Sequence, residues 1–304
     1  MGVVIRAAGV ARPTRRPWSH GARPLADEAI RHCLRQAEVV GADVDLLVNA
    51  GVYRERGLGE PALAALIQED VEANARDLDG QGHGTFSFDV DNGGCGVLTA
   101  VDVVSGFLSS GAIALGLVVA SDSGPSALHA RAVPYPEAGG ALLLERDDNG
   151  TGFSAVTLQT YPEYGDLRES YWEWHDRRPK DRTEHAAGGN RLVVIDRPGF
   201  ARSAVECAGE TTAAMLDGQG LKPTDVDLLI ATPEPGFADP LADRLGIPRE
   251  RVLHLGEQLG AMHTAQPIFA IDVARRSGRW EAGSTILMVS AGSGITVACA
   301  VYRS

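Results

Sequence analysis

Short apolar runs alternate along the first half of the chain with longer segments of helical hydrophobic spacing. The short runs predict buried strands, because a helix needs more length to bury one of its faces. They lie at residues 3–9, 43–51, 85–88 and 112–120. Apolar residues that recur at every third or fourth position predict helices at about residues 24–39, 61–75 and 95–110. This alternation of strand and helix predicts an α/β fold.

The second half of the chain repeats the first. Residues 225–231 read DVDLLIA and residues 43–49 read DVDLLVN, and each copy follows an amphipathic helical segment. Further on, a predicted helix at residues 262–276 and a strand at 284–290 repeat the helix at 95–110 and the strand after it. Two copies of one unit predict a pseudo-twofold arrangement, with the two apolar helices antiparallel between two sheets and starting beside one shared pocket.

A polar region separates the two halves. Residues 138–145 and 153–160 predict a hairpin, which closes an N-terminal half at residues 1–160. Residues 161–190 are polar and include a basic cluster at 177–182, so they predict a surface excursion before the C-terminal half at 191–304. The basic cluster would either contact an acidic carrier protein or a nucleotide phosphate, or simply form a solvated linker.

Composition and charge exclude several classes of function. The net charge of −12 over 304 residues argues against nucleic acid or an anionic membrane as the main partner. We expect no apolar run long enough to span a bilayer and no signal peptide, and therefore a cytoplasmic protein. The four cysteines contain no CxxC pair, which favours reduced thiols over disulfides or a metal site.

Cys95 is the candidate nucleophile of the sequence. It follows an apolar strand and the pair Gly93-Gly94, and it begins the predicted helix at residues 95–110. A helix N-terminus presents unpaired N–H groups and a positive dipole end, which we expect to lower the pKa of a thiol there and to favour attack on thioesters. The structural alternative is that Cys95 is a small buried apolar residue.

The chain resembles the thiolase superfamily, and within it the ketoacyl-ACP synthase III type of condensing enzyme. The resemblance rests on the order and spacing of several motifs along the whole chain. These are the cysteine turn at residues 88–96, the strand at 117–122, the glycine-containing strand at 137–144, the helix residues 270–272 and the glycine loop at 290–294. It implies a duplicated thiolase-like fold with five αβαβα layers.

The resemblance also implies a chemistry for Cys95. The thiolate would take an acyl group from a thioester of coenzyme A or acyl carrier protein and pass it to an acceptor, through two tetrahedral oxyanions. The N–H of Cys95 and one N–H from the loop Gly292, Ser293 and Gly294 would stabilise those oxyanions. The thioester is a substrate, and no permanently bound cofactor or metal is expected.

Two positions depart from the pattern of the decarboxylating relatives. Those enzymes carry His after the strand that matches residues 227–231 and Asn before the last central helix, whereas this chain has Glu234 and Ala261 there. An ionised glutamate only accepts hydrogen bonds and would repel a malonyl carboxylate. The sequence therefore disfavours decarboxylative condensation.

Three other side chains are candidates for acid or base. The repeat places Met262 opposite Cys95 and His263 at the start of the partner helix. There a neutral imidazole would accept a proton from a nucleophile or from Cys95, or the histidine would simply bond to backbone or water. Glu234 would be a base if burial raised its pKa, and it would otherwise be a turn residue. Glu60, in Glu60-Pro61, resembles the glutamate of olefin-pathway thiolases that crosses the dimer interface, or else it only precedes a helix.

These observations favour an acyltransferase of the condensing-enzyme fold from specialised metabolism. It would move an acyl group through Cys95 to a hydroxyl, amine or carbon nucleophile without decarboxylation. The first alternative is carbon–carbon bond formation with Glu60, Glu234 or His263 as the base. The second is a non-catalytic subunit that completes the site of a partner chain. Members of the family dimerise by edge pairing of their sheets, so a homodimer is expected and a heterodimer stays open.

Overall fold

The computed structural model describes eight segments of the chain. These are residues 2–16, 19–54, 60–73, 84–123, 135–173, 191–232, 236–256 and 261–304.

Twelve strands and six helices make up the described fold. The strands are β1 (Gly2–Ala11), β2 (Leu46–Asn49), β3 (Phe86–Asp89), β4 (Leu115–Asp122), β5 (Ala138–Asp147), β6 (Gly152–Phe153), β7 (Thr157–Thr160), β8 (Arg168–Glu173), β9 (Arg191–Asp196), β10 (Leu228–Thr232), β11 (Thr285–Gly292) and β12 (Thr296–Arg303). The helices are α1 (Ala22–Ala37), α2 (Leu63–Asp70), α3 (Gly96–Ser110), α4 (Phe200–Gly218), α5 (Ala238–Leu245) and α6 (Gln266–Arg276).

Ten of these strands form one continuous sheet in the order β10-β11-β12-β6-β1-β5-β4-β2-β3, with β7 paired to β12. The two halves of the sheet join at the short strand β6, where Phe153 pairs with Val3 of β1 and with Tyr302 of β12. The outer strands β2, β3 and β4 run parallel, as do β10 and β11. The separate strands β8 and β9 form an antiparallel pair.

Helices α3 and α6 form the central layer between the two halves of the sheet. One apolar cluster contains residues of both helices together with inward-facing residues of β2, β4, β5, β10, β11 and β12. A second cluster packs α1 and α2 on the outer face of the first half, and a third packs α4 and α5 on the outer face of the second half. The order of layers is αβαβα, so the predicted duplicated thiolase-like fold is confirmed.

The duplication extends to matched hydrogen bonds. Before β2, the N–H of Val40 donates to Asp43 Oδ2 at 3.2 Å, and before β10 the N–H of Lys222 donates to Asp225 Oδ2 at 2.8 Å. A short 3-10 turn also precedes each central helix, at Gly93–Cys95 before α3 and at His263–Ala265 before α6. The two copies therefore share local chemistry as well as topology.

Helix α3 corrects one expectation. By length and composition alone, Gly93–Ser110 is apolar enough to cross a membrane, and half of this stretch is buried inside the protein. The expectation that no apolar run would be long enough is therefore wrong by that criterion. The reason is that a central helix must bury apolar residues against a sheet on each side.

Several predicted boundaries also differ. The helix predicted to reach residue 75 ends at Asp70, and the predicted strand at 153–160 is divided into β6 and β7. The predicted surface excursion begins with ordered structure, because β8 pairs with β9 across residues 168–173 and 191–196. The basic cluster at 177–182 lies outside the described residues.

Candidate active site

Cys95 ends the 3-10 turn that leads into α3. Its side chain is completely buried, and Sγ lies 3.3 Å from the carbonyl oxygen of Thr296 and 3.6 Å from that of Ser290. Burial raises the pKa of the Cys95 thiol to about 12. This corrects the expectation of a lowered pKa, because desolvation of the thiolate outweighs the favourable position at the helix start. The resting group is therefore a neutral thiol.

The turn that precedes α6 mirrors the cysteine turn. His263 has φ 46° and Gly93, at the first position of the other turn, has φ 47°. The two turns therefore align His263 with Gly93 and Ala265 with Cys95, whereas the sequence repeat placed Met262 opposite Cys95. Left-handed backbone is costly for a residue with a Cβ, so a histidine held in this conformation marks a constrained position.

Asp122 binds the His263 turn. This carboxylate, at the end of β4, is fully buried, and its Oδ2 accepts hydrogen bonds from His263 Nδ1 at 2.9 Å, Thr264 N at 3.0 Å and Thr264 Oγ1 at 2.5 Å. Its Oδ1 accepts from the N–H groups of Val52 and Tyr53 at 3.0 and 2.8 Å. Although burial opposes ionisation, His263 and these donors hold the pKa of Asp122 below its usual value.

Two tyrosine rings pack against the imidazole of His263. The ring centroid of Tyr135 lies 4.5 Å from that of His263 with 17° between the planes, and the Tyr53 centroid lies 5.1 Å away with 28° between the planes. Only 7% of His263 is exposed. The stacking fixes the plane of the imidazole, and Asp122 fixes its rotation within that plane.

Both helix starts border one cleft of about 320 Å³. Its lining comprises Val52, Tyr53, Asp91, Asn92, Gly93, Gly94, Tyr135, Arg168, Ser170, Val194, His263, Ala291, Gly292 and Ser293. Strands β8 and β9 thus supply one wall. Cys95 lies just behind this surface, since a Cβ added at Gly292 would stand 3.8 Å from Cys95 Sγ and 3.6 Å from the nitrogen of Gly94.

The glycine loop lies where the sequence places it. Gly292 and Ser293 line the cleft, and Gly294, with φ 125°, continues the turn between β11 and β12. The N–H of Cys95 already donates to the carbonyl of Asn92 at 2.9 Å within the 3-10 turn. The N–H of Cys95, which we predict to be an oxyanion donor, therefore already makes a hydrogen bond within the turn. The N–H groups of the glycine loop stay predicted donors.

The structure describes one of the two glutamate candidates. Glu60 is exposed before α2 and is not among the described residues that line the cleft. Glu234 lies outside the described residues, so its role stays a prediction. Asp89, at the end of β3, has a structural role, because it accepts hydrogen bonds from the N–H groups of Leu63 and Ala64 at the start of α2.

A second cavity of about 590 Å³ shares part of its wall with the cleft. Arg168 and Ala291 line both spaces. The Arg168 guanidinium donates to both carboxylate oxygens of Asp196, at 2.6 and 2.8 Å, and lies 3.9 Å from the centroid of the Phe200 ring.

Sequence reasoning missed Asp122, Tyr53 and Tyr135. The only available signal for Asp122 is a carboxylate that ends a strand of buried apolar residues, where an unpaired charge would be costly. All four cysteines are free thiols, as predicted. Among the described residues, no group of three or more His, Cys, Asp or Glu is placed to hold a metal ion.

Comparisons with known proteins agree with this architecture. The family model of the 3-oxoacyl-[acyl-carrier-protein] synthase III C-terminal region matches residues 216–304. The beta-ketoacyl-[acyl-carrier-protein] synthase III of Alkalilimnicola ehrlichii is 25% identical over 287 residues, which cover 92% of this chain and 83% of that protein. The enzyme of the same name from Aquifex aeolicus is 24% identical over 284 residues, with the same coverage. The predicted resemblance to ketoacyl synthase III is confirmed.

Solved structures support the same fold. The 3-oxoacyl-[acyl-carrier-protein] synthase III of Aquifex aeolicus matches with a TM-score of 0.79 at 21% identity, over the whole of both chains. OleA of Xanthomonas campestris, solved with bound lauric acid and lauroyl-CoA, matches with a TM-score of 0.80 at 16% identity, over 100% of this chain and 99% of that one. At these identities the two matches show the fold.

Proposed function

We propose that this ketoacyl synthase III-like protein is an acyltransferase with a Cys95 acyl intermediate and His263 as its base. The observation that carries the proposal is the meeting of the two helix starts at one cleft. One start brings a buried thiol, and the other brings an imidazole whose Nδ1 is bound to a carboxylate. The acyl donor is a thioester of coenzyme A or of an acyl carrier protein, and the protein is a homodimer of specialised metabolism.

The reaction has two balanced steps. In the first, Cys95 Sγ bonds to the acyl carbon, the carbon–sulfur bond of the donor breaks, and the thiol proton leaves with the donor thiolate. In the second, an acceptor hydroxyl or amine attacks the acyl carbon, and the bond to Sγ breaks. His263 takes the acceptor proton, which then returns to Sγ. Because the Cys95 thiol is neutral at rest, its attack on the donor thioester requires removal of the thiol proton.

The replacement at Ala261 supports transfer over decarboxylative condensation. The related condensing enzymes carry an asparagine at that point, and an alanine side chain has no hydrogen-bond donor for an enolate. Carbon–carbon bond formation with Glu60, Glu234 or His263 as base is the alternative, and release of carbon dioxide from a malonyl thioester would favour it.

Burial of Cys95 favours a second candidate, a non-catalytic subunit that completes a partner's site. A thiol that is fully buried with a pKa near 12 reacts slowly unless a substrate or base reaches it. In that case the protein would stabilise a partner's site without forming an acyl-cysteine of its own.

Intact-mass spectrometry separates the candidates. After incubation with a panel of acyl-CoA and acyl-phosphopantetheine thioesters, we expect the parent protein to gain the mass of one acyl group and Cys95→Ala to gain none. Cys33→Ala, which alters another fully buried cysteine on α1, should acylate like the parent. Equal acylation of Cys95→Ala and parent, or acylation of neither, would contradict the enzyme proposal.

A further inference from the structure

We propose that Asp122 is a positioning residue for His263. By binding Nδ1, it leaves Nε2 as the nitrogen that takes the proton from the hydroxyl or amine that receives the acyl group. This inference rests on the proposed function. It concerns a pair that joins the two halves of the chain, because Asp122 ends β4 in the first half and His263 precedes α6 in the second.

The hydrogen bonds determine which imidazole nitrogen carries the proton. Asp122 has a lowered pKa and two oxygens that accept five hydrogen bonds, so it remains an ionised acceptor. The group that faces its Oδ2 from His263 must therefore be Nδ1–H. A neutral imidazole with its proton on Nδ1 carries its lone pair on Nε2.

The surroundings leave little freedom for the imidazole to turn. The rings of Tyr53 and Tyr135 stack against the imidazole, and Asp122 also accepts a hydrogen bond from the backbone N–H of Tyr53, so one carboxylate binds both His263 and the backbone of a residue that stacks on it. The imidazole lines the cleft, where an acceptor would bind. Because the base must meet its proton with the correct nitrogen, this restraint acts directly on the transfer step.

The backbone supports a functional reading of the residue itself. His263 adopts φ 46° at the position where the other half of the chain has Gly93. Glycine would adopt this conformation without strain, and asparagine tolerates it better than most residues. Holding a histidine here has a cost that the site offsets through Asp122 and the tyrosine stack.

His263→Asn is the matched variant for the base. The side-chain amide nitrogen of asparagine stands where Nδ1 of histidine stands, so it retains a donor to Asp122 but has no counterpart of Nε2. We expect it to fold and to lose transfer to a hydroxyl or amine acceptor by about a hundredfold or more.

Asp122→Asn tests the positioning role. An asparagine can donate to Nδ1 as well as accept from it, so the proton can move to Nε2. We expect a loss of transfer of about a hundredfold or more, with no further loss when His263→Asn is added, because the two groups act as a unit. Thr264→Val removes one other bond to Asp122 Oδ2 and should reduce transfer less than tenfold.

Nitrogen NMR of the His263 ring provides a readout that does not depend on activity. In the parent at pH 8 we expect a protonated Nδ1 and an unprotonated Nε2, and in Asp122→Asn the protonated nitrogen should change. Any of three results would overturn the inference. The first is a proton on Nε2 in the parent, and the second is a transfer rate in Asp122→Asn equal to that of the parent. The third is a loss of transfer in the double variant that equals the product of the losses in the two single variants. Absence of self-acylation in the parent would instead remove the proposed function, while the NMR result would still test the pairing.

Discussion

At the scale of single residues, burial decides the resting state of the nucleophile. A helix N-terminus typically contributes a fraction of a kcal/mol to a nearby charge, roughly 0.3–1 kcal/mol at exposed sites. Taking a thiolate out of water costs more than that, and Cys95 is completely buried. The helix start therefore positions the Cys95 thiol for attack without ionising it.

The raised pKa of Cys95 predicts slow alkylation. At pH 8 we expect iodoacetamide to modify Cys95 far more slowly than an exposed thiol, because only about one molecule in 10⁴ carries the thiolate when the pKa is near 12. The rate should rise tenfold per pH unit up to the unfolding limit. Peptide mass spectrometry of native and urea-unfolded protein would measure this, and rapid modification of native Cys95 at pH 7 would contradict it.

At the scale of elements, two carboxyl groups and an arginine lie at the contact between α1 and α2. Asp27 of α1 is 7% exposed, and burial together with the nearby Asp70 of α2 raises the pKa of Asp27 to about 7. Arg23 donates to both oxygens of Asp70 and holds the pKa of that carboxyl below its usual value. The contact between the helices therefore favours one protonated and one ionised carboxyl group.

This pair of carboxyl groups predicts that Asp27→Asn stabilises the fold in a pH-dependent way. The folded-state pKa of Asp27 is raised, so its carboxyl stabilises the fold fully below pH 3.8 and loses that contribution as pH rises towards about 7. The neutral amide has no such loss, and we expect it to stabilise the protein by about 1–3 kcal/mol at pH 8 and by little at pH 4. Urea unfolding at the two pH values would test this; an equal effect at both would contradict it.

The contact between β5 and α6 depends on a glycine. A Cβ added at Gly140 of β5 would lie 2.8 Å from Cβ of Ile268 on α6, whereas one added at Gly106 of α3 would meet no atom within 4 Å. We expect Gly140→Ala to destabilise the fold by about 1–3 kcal/mol through overpacking. Gly106→Ala should stabilise it by about 0.5–1 kcal/mol through helix propensity. Thermal unfolding of both variants would show whether the signs are opposite.

At the scale of the whole molecule, β3 forms one end of the sheet. Phe86 on this strand is 60% exposed and its ring centroid lies 5.3 Å from that of Phe88. An exposed edge strand with aromatic side chains is a template for pairing with another chain. The edge is thus suited to the sheet-to-sheet dimer that the family resemblance implies.

We therefore expect Phe86→Lys to shift the protein from dimer to monomer in sedimentation velocity. A lysine at the first residue of β3, on a paired edge, would lose apolar burial and gain no partner. Val40→Lys is the control, because Val40 is 62% exposed and lies in the turn before β2, outside β3. A monomeric parent protein, or equal dissociation of both variants, would contradict this arrangement.

Local patterns along the chain predict the strands and helices, the duplication and the glycine-flanked cysteine before a central helix. Hydrophobic spacing is local, so β4, β10, α3 and α6 could be predicted within a few residues. The predicted length of α2 was too great. Helix propensity does not show that Asp89 binds the N–H of Leu63 at the start of the helix, nor where tertiary packing ends the helix.

The groups that surround the candidate site come together through tertiary contacts between distant parts of the chain. Asp122 and His263 are 141 positions apart, and Cys95 and Ser290 are 195 apart, so no local pattern reports either contact. The protonation of Cys95 depends on how much water the folded chain excludes from it. The orientation of His263 depends on groups brought together from four segments of the chain, which is why the sequence proposed the histidine and could not provide its carboxylate partner.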